Sequence, residues 1–202
     1  MNLEQLFETC SFGEFTEEII ATSIPFSCGN TDLDEFFSHD SVLYRKKLLG
    51  KTYAFHLRFN PKVIVGAFTL SNDSIRIDDL PNARRQKMKH IIEHKPLRRY
   101  PAVLIGRLGI NEEFSGQGFG SAIMDFIKSW FIKNNKTGCR FIIVEAYNIP
   151  RTLRYYEKNS FRYLFSTEKQ EALYTYHNAN VKMRTRMMFF DLIEIFIKDT
   201  CI

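Results

Sequence analysis

The stretch Leu104-Ile105-Gly106-Arg107-Leu108-Gly109-Ile110-Asn111-Glu112-Glu113-Phe114-Ser115-Gly116-Gln117-Gly118-Phe119-Gly120-Ser121 decides how this chain is read. Val103, Leu104, Ile105, Leu108 and Ile110 form the pattern of a buried or half-buried strand. Residues 111–115 are polar and read as a turn. Gly116-Gln117-Gly118-Phe119-Gly120 follows. From there Phe119, Ile123, Phe126, Ile127, Trp130 and Phe131 recur every three or four positions, as on one face of a helix. Glycines at a helix start let the backbone approach an anion closely, and the first amides of a helix have no acceptor within it. Charge and dipole interactions at such an end contribute roughly 0.3–1 kcal/mol each, up to about 2 when partly buried. The spacing predicts a phosphate-binding loop opening a helix.

Three kinds of phosphate binder compete for this motif. A nucleotide-hydrolysing loop of the Walker type needs lysine and a hydroxyl after its last glycine. Here Gly120 is followed by Ser121-Ala122-Ile123, so the ammonium is missing. A dinucleotide fingerprint needs glycines at its first, third and sixth positions and an acidic residue about 20 residues on. Gly116, Gly118 and Gly120 do not keep that spacing, and Glu145 comes too late. Coenzyme A, whose pyrophosphate asks for several amides and no metal, is the third. A glycine-containing turn without a ligand is the alternative.

The downstream sequence narrows the choice. Phe141-Ile142-Ile143-Val144 is a short β-rich run after a helix exit at Lys136-Thr137-Gly138. It leads to Glu145-Ala146-Tyr147-Asn148, then to Pro150 at a helix start, then to Tyr155-Tyr156-Glu157-Lys158-Asn159-Ser160-Phe161. These segments resemble the GNAT (GCN5-related N-acetyltransferase) superfamily. Its pyrophosphate loop, Gln/Arg-x-x-Gly-x-Gly/Ala, is matched by residues 115–120 with Ser115 in the first place. Its later Asn, followed by a helix carrying Tyr-Glu-Lys-x-Gly-Phe, is matched by Asn148 and residues 156–161 with Ser160 in place of glycine. The resemblance covers most of the chain. Phe26-Ser27-Cys28-Gly29 with Leu33-Asp34-Glu35-Phe36 looks like the opening of a subgroup that contains acetyltransferase toxins of toxin–antitoxin pairs. Ile64-Val65-Gly66-Ala67-Phe68-Thr69-Leu70-Ser71 is similar to that subgroup's second-strand signature. Leu104–Ile110 is similar to its Arg-Leu-Ala-Val strand, with Gly109 where alanine is usual.

The resemblance implies an α/β fold with a central mixed sheet of six to seven strands, flanked by helices and splayed between the fourth and fifth strands. It also implies acetyl-CoA as co-substrate and no metal. Carried onto this chain, the backbone of Leu108, Gly109 and Ile110 would hold the pantetheine and the acetyl carbonyl. Ser115, Gly116, Gln117, Gly118, Phe119, Gly120 and Ser121 would hold the pyrophosphate, and Asn148 would meet the pantetheine. Tyr156 would be the general acid, since a phenol of ordinary pKa about 10 can protonate a departing thiolate. Tyr155 beside it, or a merely structural place in an aromatic core, are the alternatives. Glu145 is the candidate general base; Glu112 and Glu113, in a polar turn, read as solvated.

A weak base bears on the acceptor. Deprotonating a lysine of pKa about 10.4 at pH 7 costs about 4.6 kcal/mol, against about 1 kcal/mol for an α-amine. The chain therefore suits α-amines, including those of aminoacyl esters on tRNA, small molecules or peptides, better than lysines. Charge points the same way. The net charge is +5, and cations gather in three groups: Arg45, Lys46, Lys47 and Lys51; Arg84, Arg85, Lys87, Lys89, Lys95, Arg98 and Arg99; and Lys182, Arg184 and Arg186. On one face they would attract a tRNA backbone; a solvated helix with Met88, Ile91 and Ile92 turned inward is the other reading. A homodimer and an antitoxin partner are further expectations of the resemblance. A non-catalytic acyl-CoA-binding or regulatory module with the same fold, and an RNA-binding protein, are the competing functions.

Composition sets the frame. The 202 residues, 45% apolar with 19 phenylalanines, suit a single packed domain over residues 1–202. Cys10, Cys28, Cys139 and Cys201 are scattered without a metal-ligand spacing and read as thiols of a reducing cytosol. No export signal opens the sequence. Residues 187–197, the most apolar stretch, carry Asp191 and Glu194 and fall short of the roughly 20 residues of a membrane span. No membrane association is expected, and the cytoplasm is the expected location.

Periodicity and caps predict the remaining elements. These are a helix over 3–8, a first strand over 18–23, and a helix from an N-cap at Thr31 or Asp32 to about Leu49, ended by Gly50. Strands over 52–59 and 62–70 flank Asn60-Pro61. A basic helix runs from Ala83 to about His94, stopped by Pro96, and two last strands lie near 161–166 and 185–190.

Overall fold

The computed structural model describes residues 1–89, 91, 97–133 and 138–200, without the side chains of 79, 87, 89 and 198–200. The end of the basic helix at Ile92, His94, Lys95 and Pro96, the exit at Lys136-Thr137, and Cys201 lie outside the described residues.

Seven strands are present: β1 (Cys10–Glu14), β2 (Lys51–Leu57), β3 (Ile64–Arg76), β4 (Arg99–Ile110), β5 (Phe141–Tyr147), β6 (Arg162–Tyr163) and β7 (Thr185–Asp191). The helices are α1 (Leu3–Thr9), α2 (Glu17–Thr22), α3 (Thr31–Glu35), α4 (Ser41–Lys46), α5 (Asn82–Lys89), α6 (Phe119–Ile132), α7 (Pro150–Lys158), α8 (Glu168–Tyr176) and α9 (Ile193–Thr200). The strands form one mixed sheet in the order β1-β2-β3-β4-β5-β7-β6, with β4 and β5 parallel and the other neighbours antiparallel. This is the expected mixed α/β class with seven strands. The chain divides into two compact units, Met1–Ser71 with Ile105–Trp130, and Asn72–Leu104 with Phe131–Ile202. Strands β3 and β4 each belong partly to both.

In the first unit β1 pairs with β2 from Cys10 opposite Leu57 to Glu14 opposite Tyr53, and β2 pairs with β3. One side of these strands carries Phe12 and Phe55 against Phe126 of α6, at ring distances of 4.5 and 5.1 Å. Another cluster gathers Phe15, Phe36, Phe37, Ala54, Ile64 and Ala67 with Ile19, Ile20, Phe26 and Leu33 packed on it. Strands covered on both faces are apolar nearly throughout, and residues 64–70 of β3 are buried without a break.

In the second unit β5 and β7 pair over seven residues, from Phe141 opposite Asp191 to Tyr147 opposite Thr185. Tyr100, Phe141, Ile143, Leu164, Phe165 and Phe189 form its main core, joined by Met88 of α5. The buried Tyr100 hydroxyl donates to the Met88 carbonyl at 2.8 Å. Arg140 and Asp191 pair at 2.7 Å where β5 begins and β7 ends.

Several elements differ from the sequence expectation. Residues 18–23 are not a strand; Glu17–Thr22 is helical, because the Thr16 hydroxyl accepts from Ile19 N–H at 3.3 Å and two glutamates fill the first turn. The first strand is Cys10–Glu14, which the pattern gave no reason to assign. The helix after residue 30 is capped by Asn30, whose side chain accepts from Leu33 N–H at 3.1 Å, and not by Thr31 or Asp32. It is broken by a π turn over Phe36–Asp40 and ends at Lys46. Leu48, not Gly50, takes the left-handed conformation, at φ 58°. Strand β6 keeps only two residues of the expected 161–166.

Candidate active site

The glycine loop is built by the first unit. Asn111 N–H donates to the Val65 carbonyl at 2.9 Å and its side-chain amide to the Ile64 carbonyl at 3.0 Å, so the end of β4 is pinned to β3. The same side chain accepts from Glu113 N–H at 3.0 Å and caps a short 3-10 turn, Glu112–Phe114. Gln117 then reaches back, its side-chain amide donating to the Glu113 carbonyl at 2.6 Å. Phe114 and Phe119 meet edge to face at 5.4 Å across the loop. Sequence reasoning missed the Asn111 cap and the Phe114–Phe119 pair; an Asn two residues before Glu113 was the available signal for the first.

The loop backbone turns through two left-handed glycines. Gly116 and Gly118 lie at φ 78° and 92°, in the left-handed region that favours glycine. Ser115, Gly116 and Gln117 are exposed. A Cβ on Gly116 would meet nothing within 4 Å, whereas one on Gly118 would strike the Met1 backbone nitrogen at 3.1 Å. Ala122 N–H donates to the Gly118 carbonyl at 3.1 Å, closing the first turn of α6. The amides of Phe119 and Ser121 precede that closure, where an α-helix has no carbonyl of its own to offer. Gln117 N–H, by contrast, is directed at the Phe114 carbonyl at 3.5 Å.

Upstream, Gly109 is buried, and Leu108 and Ile110 are half-buried on β4. A Cβ at Gly109 would come within 3.2 Å of Cys28 Cβ and Sγ and of the Phe26 ring. That contact accounts for glycine where the resemblance leads one to expect alanine. Cys28 is a proton-bearing thiol: burial pushes it up to about 12, helped by the Asp34 carboxylate.

The second unit holds the other predicted residues. Pro150 occupies the first turn of α7, as its sequence position predicts. Tyr156 is 8% exposed, with its ring against Tyr155 at 5.1 Å and Phe161 at 5.4 Å. Burial alone pushes its phenol well above the usual value of 10, so the hydroxyl keeps its proton. The helix ends in a Schellman motif, with Phe161 N–H on the Tyr156 carbonyl and Ser160 N–H on the Glu157 carbonyl, both at 2.9 Å. Ser160 accordingly sits at φ 64°, which explains the family's glycine at that place.

Asn148 is engaged within its own unit. Its side-chain amide donates to the Met183 carbonyl at 3.0 Å and it shares a hydrogen bond with Glu168, while its backbone N–H bonds the Arg184 carbonyl at 2.9 Å. Glu145 is exposed on β5, opposite Met187. Its charge helps push up the buried Glu171, whose carboxyl is raised chiefly by desolvation. Glu171, 2% exposed, pairs with Arg186 Nε at 2.6 Å and accepts from Met187 N–H, taking the place of a strand where β6 stops. Nothing in the sequence pattern singled out Glu171.

The cation groups divide once their bonds are traced. Arg84 donates to the Tyr163 carbonyl at 2.8 Å, and Arg85 to the Asp78 and Leu80 carbonyls at 2.7 and 3.1 Å. Arg45 and Lys46 pair with Glu14 and Glu17, both at 3.0 Å. Arg186 is buried, whereas Arg98, Arg99, Lys182 and Arg184 are exposed. No helix among the described residues is long and apolar enough to cross a membrane.

No family model matches the chain, and no curated protein matches it. Solved structures do. AtaT complexed with acetyl-methionyl-tRNAfMet superposes with a TM-score of 0.65 at 19% identity, covering 94% of this chain and 99% of that one. A tyrosine-to-phenylalanine mutant of KacT gives 0.66 at 18% identity, over 94% and 99% of the two chains. A mutant AtaT toxin bound to the C-terminus of the antitoxin AtaR and acetyl-CoA gives 0.61 at 18% identity, over 95% and 99%. This chain has their fold. It is the GNAT-like α/β fold that the glycine loop and the Tyr156 helix led us to expect.

Proposed function

We propose that this chain is a single-domain, acetyl-CoA-dependent N-acetyltransferase. The observation that carries the reading is the exposed loop with left-handed Gly116 and Gly118, whose following amides precede the first closed turn of α6. A diphosphate fits such a cradle without a metal or a lysine. The amides of this loop hold it, with those of Phe119 and Ser121 best placed to donate, and the backbone of Leu108, Gly109 and Ile110 receives the pantetheine. Asn148, whose side-chain amide is already bonded, contributes through its remaining acceptor or by shaping the chain around Met183.

Acetyl-CoA supplies an activated acyl group, a thioester carbonyl that a neutral amine can attack. The new C–N bond forms as the C–S bond breaks, and the acceptor nitrogen loses a proton. Tyr156, kept protonated by burial, gives its hydroxyl proton to the departing thiolate. The exposed Glu145 receives the amine's proton, directly or through water. An exposed carboxylate is a weak base, which favours α-amines over lysines as acceptors.

Among α-amines we favour that of an aminoacyl-tRNA. The fold shared with AtaT, solved with acetyl-methionyl-tRNAfMet, supports it, as do the exposed cations Arg98, Arg99, Lys182 and Arg184. An antitoxin is the corresponding protein partner, in line with the AtaT–AtaR complex. Calorimetry with acetyl-CoA, followed by thioester cleavage against a panel of free amines and charged tRNAs, tests the reading. Heat with acetyl-CoA and turnover with a charged tRNA are expected. Binding without turnover on any amine would make the chain an acyl-CoA-binding module, and no heat with acetyl-CoA would end the enzymatic reading.

A further inference from the structure

The segment Phe26-Ser27-Cys28-Gly29 and the residue Asp34 have no part in the function as stated so far, yet they lie against the strand that would carry the acetyl group. Ser27 hydroxyl donates to Asp34 Oδ2 at 2.8 Å and Cys28 N–H to Asp34 Oδ1 at 2.7 Å, so both carboxylate oxygens grip one turn of chain. Held in this way, Cys28 and Phe26 fill the place a side chain at Gly109 would need, at 3.2 Å. The same turn reaches the exit of β4. Glu112 N–H donates to the Ser27 carbonyl at 3.0 Å, and the Ser27 hydroxyl also approaches Glu112 Oε2 at 3.3 Å. Gly29, at φ 75°, lies so close to Glu112 that a Cβ there would come within 2.7 Å of its carboxylate. Three residues after Glu112 the glycine loop begins.

We propose that Asp34 is a positioning residue for the cofactor strand, holding residues 26–29 as a strap that sets Gly109 and, through Glu112, the approach to the glycine loop. The proposal rests on the acetyl-CoA reading above. A carboxylate accepting one N–H and one O–H at these distances makes charge-assisted bonds, about twice as strong as neutral ones. Their loss frees the strap without removing any group that touches the cofactor. Cys28 is a built-in reporter, since its thiol is half-buried and is pushed up to about 12 chiefly by that burial, with the Asp34 carboxylate adding to the rise; Ser27→Ala, which keeps that carboxylate, reads the burial alone.

The test compares wild type, Asp34→Ala, Asp34→Asn and Ser27→Ala by calorimetry with acetyl-CoA, with Cys28 alkylation by iodoacetamide followed by peptide mapping and with thermal unfolding. Asp34→Ala is expected to weaken acetyl-CoA about tenfold and to speed Cys28 labelling about fivefold at temperatures where it is folded. Asp34→Asn, which keeps an acceptor for Cys28 N–H, should recover most of both. Ser27→Ala should fall between, and the two milder variants carry the measurement if Asp34→Ala does not fold. Unchanged affinity in a folded variant with a released Cys28 would overturn the proposal while leaving the enzymatic reading intact. Weaker affinity without faster Cys28 labelling would overturn the route through the strap. A wild-type protein that gives no heat with acetyl-CoA would overturn the reading itself, and the proposal with it.

Discussion

Two turns of this molecule use the left-handed backbone for opposite ends. In the first unit Gly116 and Gly118 adopt it in an exposed loop, and what the loop offers a ligand is backbone. In the second unit Ser160 adopts it to close α7, and what that helix end secures is one buried side chain, Tyr156. A site made of amides is tuned by the absence of side chains and stays open to water. A buried phenol is tuned by what covers it: Tyr156 keeps its proton because aromatic neighbours exclude solvent. The two turns therefore differ in what substitution can do to them.

The largest effect is expected at the covered turn. Tyr156→Phe preserves the packing against Tyr155 and Phe161 and removes only the proton. It should lower kcat about 10²- to 10⁴-fold while leaving acetyl-CoA affinity within about threefold, read by steady-state kinetics and calorimetry. The raised phenol pKa also has a sign to check. Since the proposed acid acts in its protonated form, no loss of activity assignable to Tyr156 should appear as pH rises to about 10, the ordinary phenol value. A descending limb near neutrality that Tyr156→Phe abolishes would show that Tyr156 is not kept protonated by burial.

The second unit relies on buried polar groups beyond Tyr156. Glu171→Ala leaves Arg186, 9% exposed, without its carboxylate and Met187 N–H without its acceptor. Unfolding in urea should show a loss of about 3–5 kcal/mol, the cost of orphaning one partner of a buried pair. A loss under about 1 kcal/mol would mean that water reaches the pair and that the second unit is less sealed than its packing indicates.

The open turn separates two costs that are usually entangled. Gly116→Ala adds a methyl group in free space at φ 78°, so it bears only the left-handed penalty of about 1–2 kcal/mol. Gly118→Ala bears a similar penalty at φ 92° and also meets the Met1 nitrogen at 3.1 Å and Met1 Cβ at 3.2 Å. Acetyl-CoA affinity should fall in both and more in Gly118→Ala, by a further factor of about three to ten. Equal losses would mean that Met1 yields freely.

How far the sequence could be read follows the same division. The loop was legible because a left-handed backbone leaves glycines behind at 116 and 118; strands β4 and β5 with helix α6 were legible because apolar spacing places their faces, and helix α7 because Pro150 marks its start. Residues 18–23 misled because Ile19 and Ile20 resemble a strand, while the deciding bond is a single threonine cap. Helix α8 and Glu171 left no trace, since a glutamate that replaces a missing strand at the β7 edge looks in sequence like any solvated glutamate. Asp34 was visible as part of a motif, but its grip on Ser27 and Cys28 depends on a turn that no periodicity encodes.

The smallest effect is the most discriminating for the covered turn. At Ser160 the backbone carries φ 64° with a side chain attached, in a Schellman motif whose two hydrogen bonds at 2.9 Å already fix the conformation. Ser160→Gly relieves the clash between Cβ and carbonyl but gives the unfolded chain more freedom. At a left-handed position the first term outweighs the second, so Ser160→Gly should stabilise the protein by about 0.5–1 kcal/mol, seen as a raised urea midpoint with an unchanged slope. Because the same motif holds the Tyr156 carbonyl, kcat should stay where it was. A stabilised protein with altered kcat would mean that the serine hydroxyl acts near the phenol, and the proposed separation between an open backbone turn and a buried side chain would have to be redrawn.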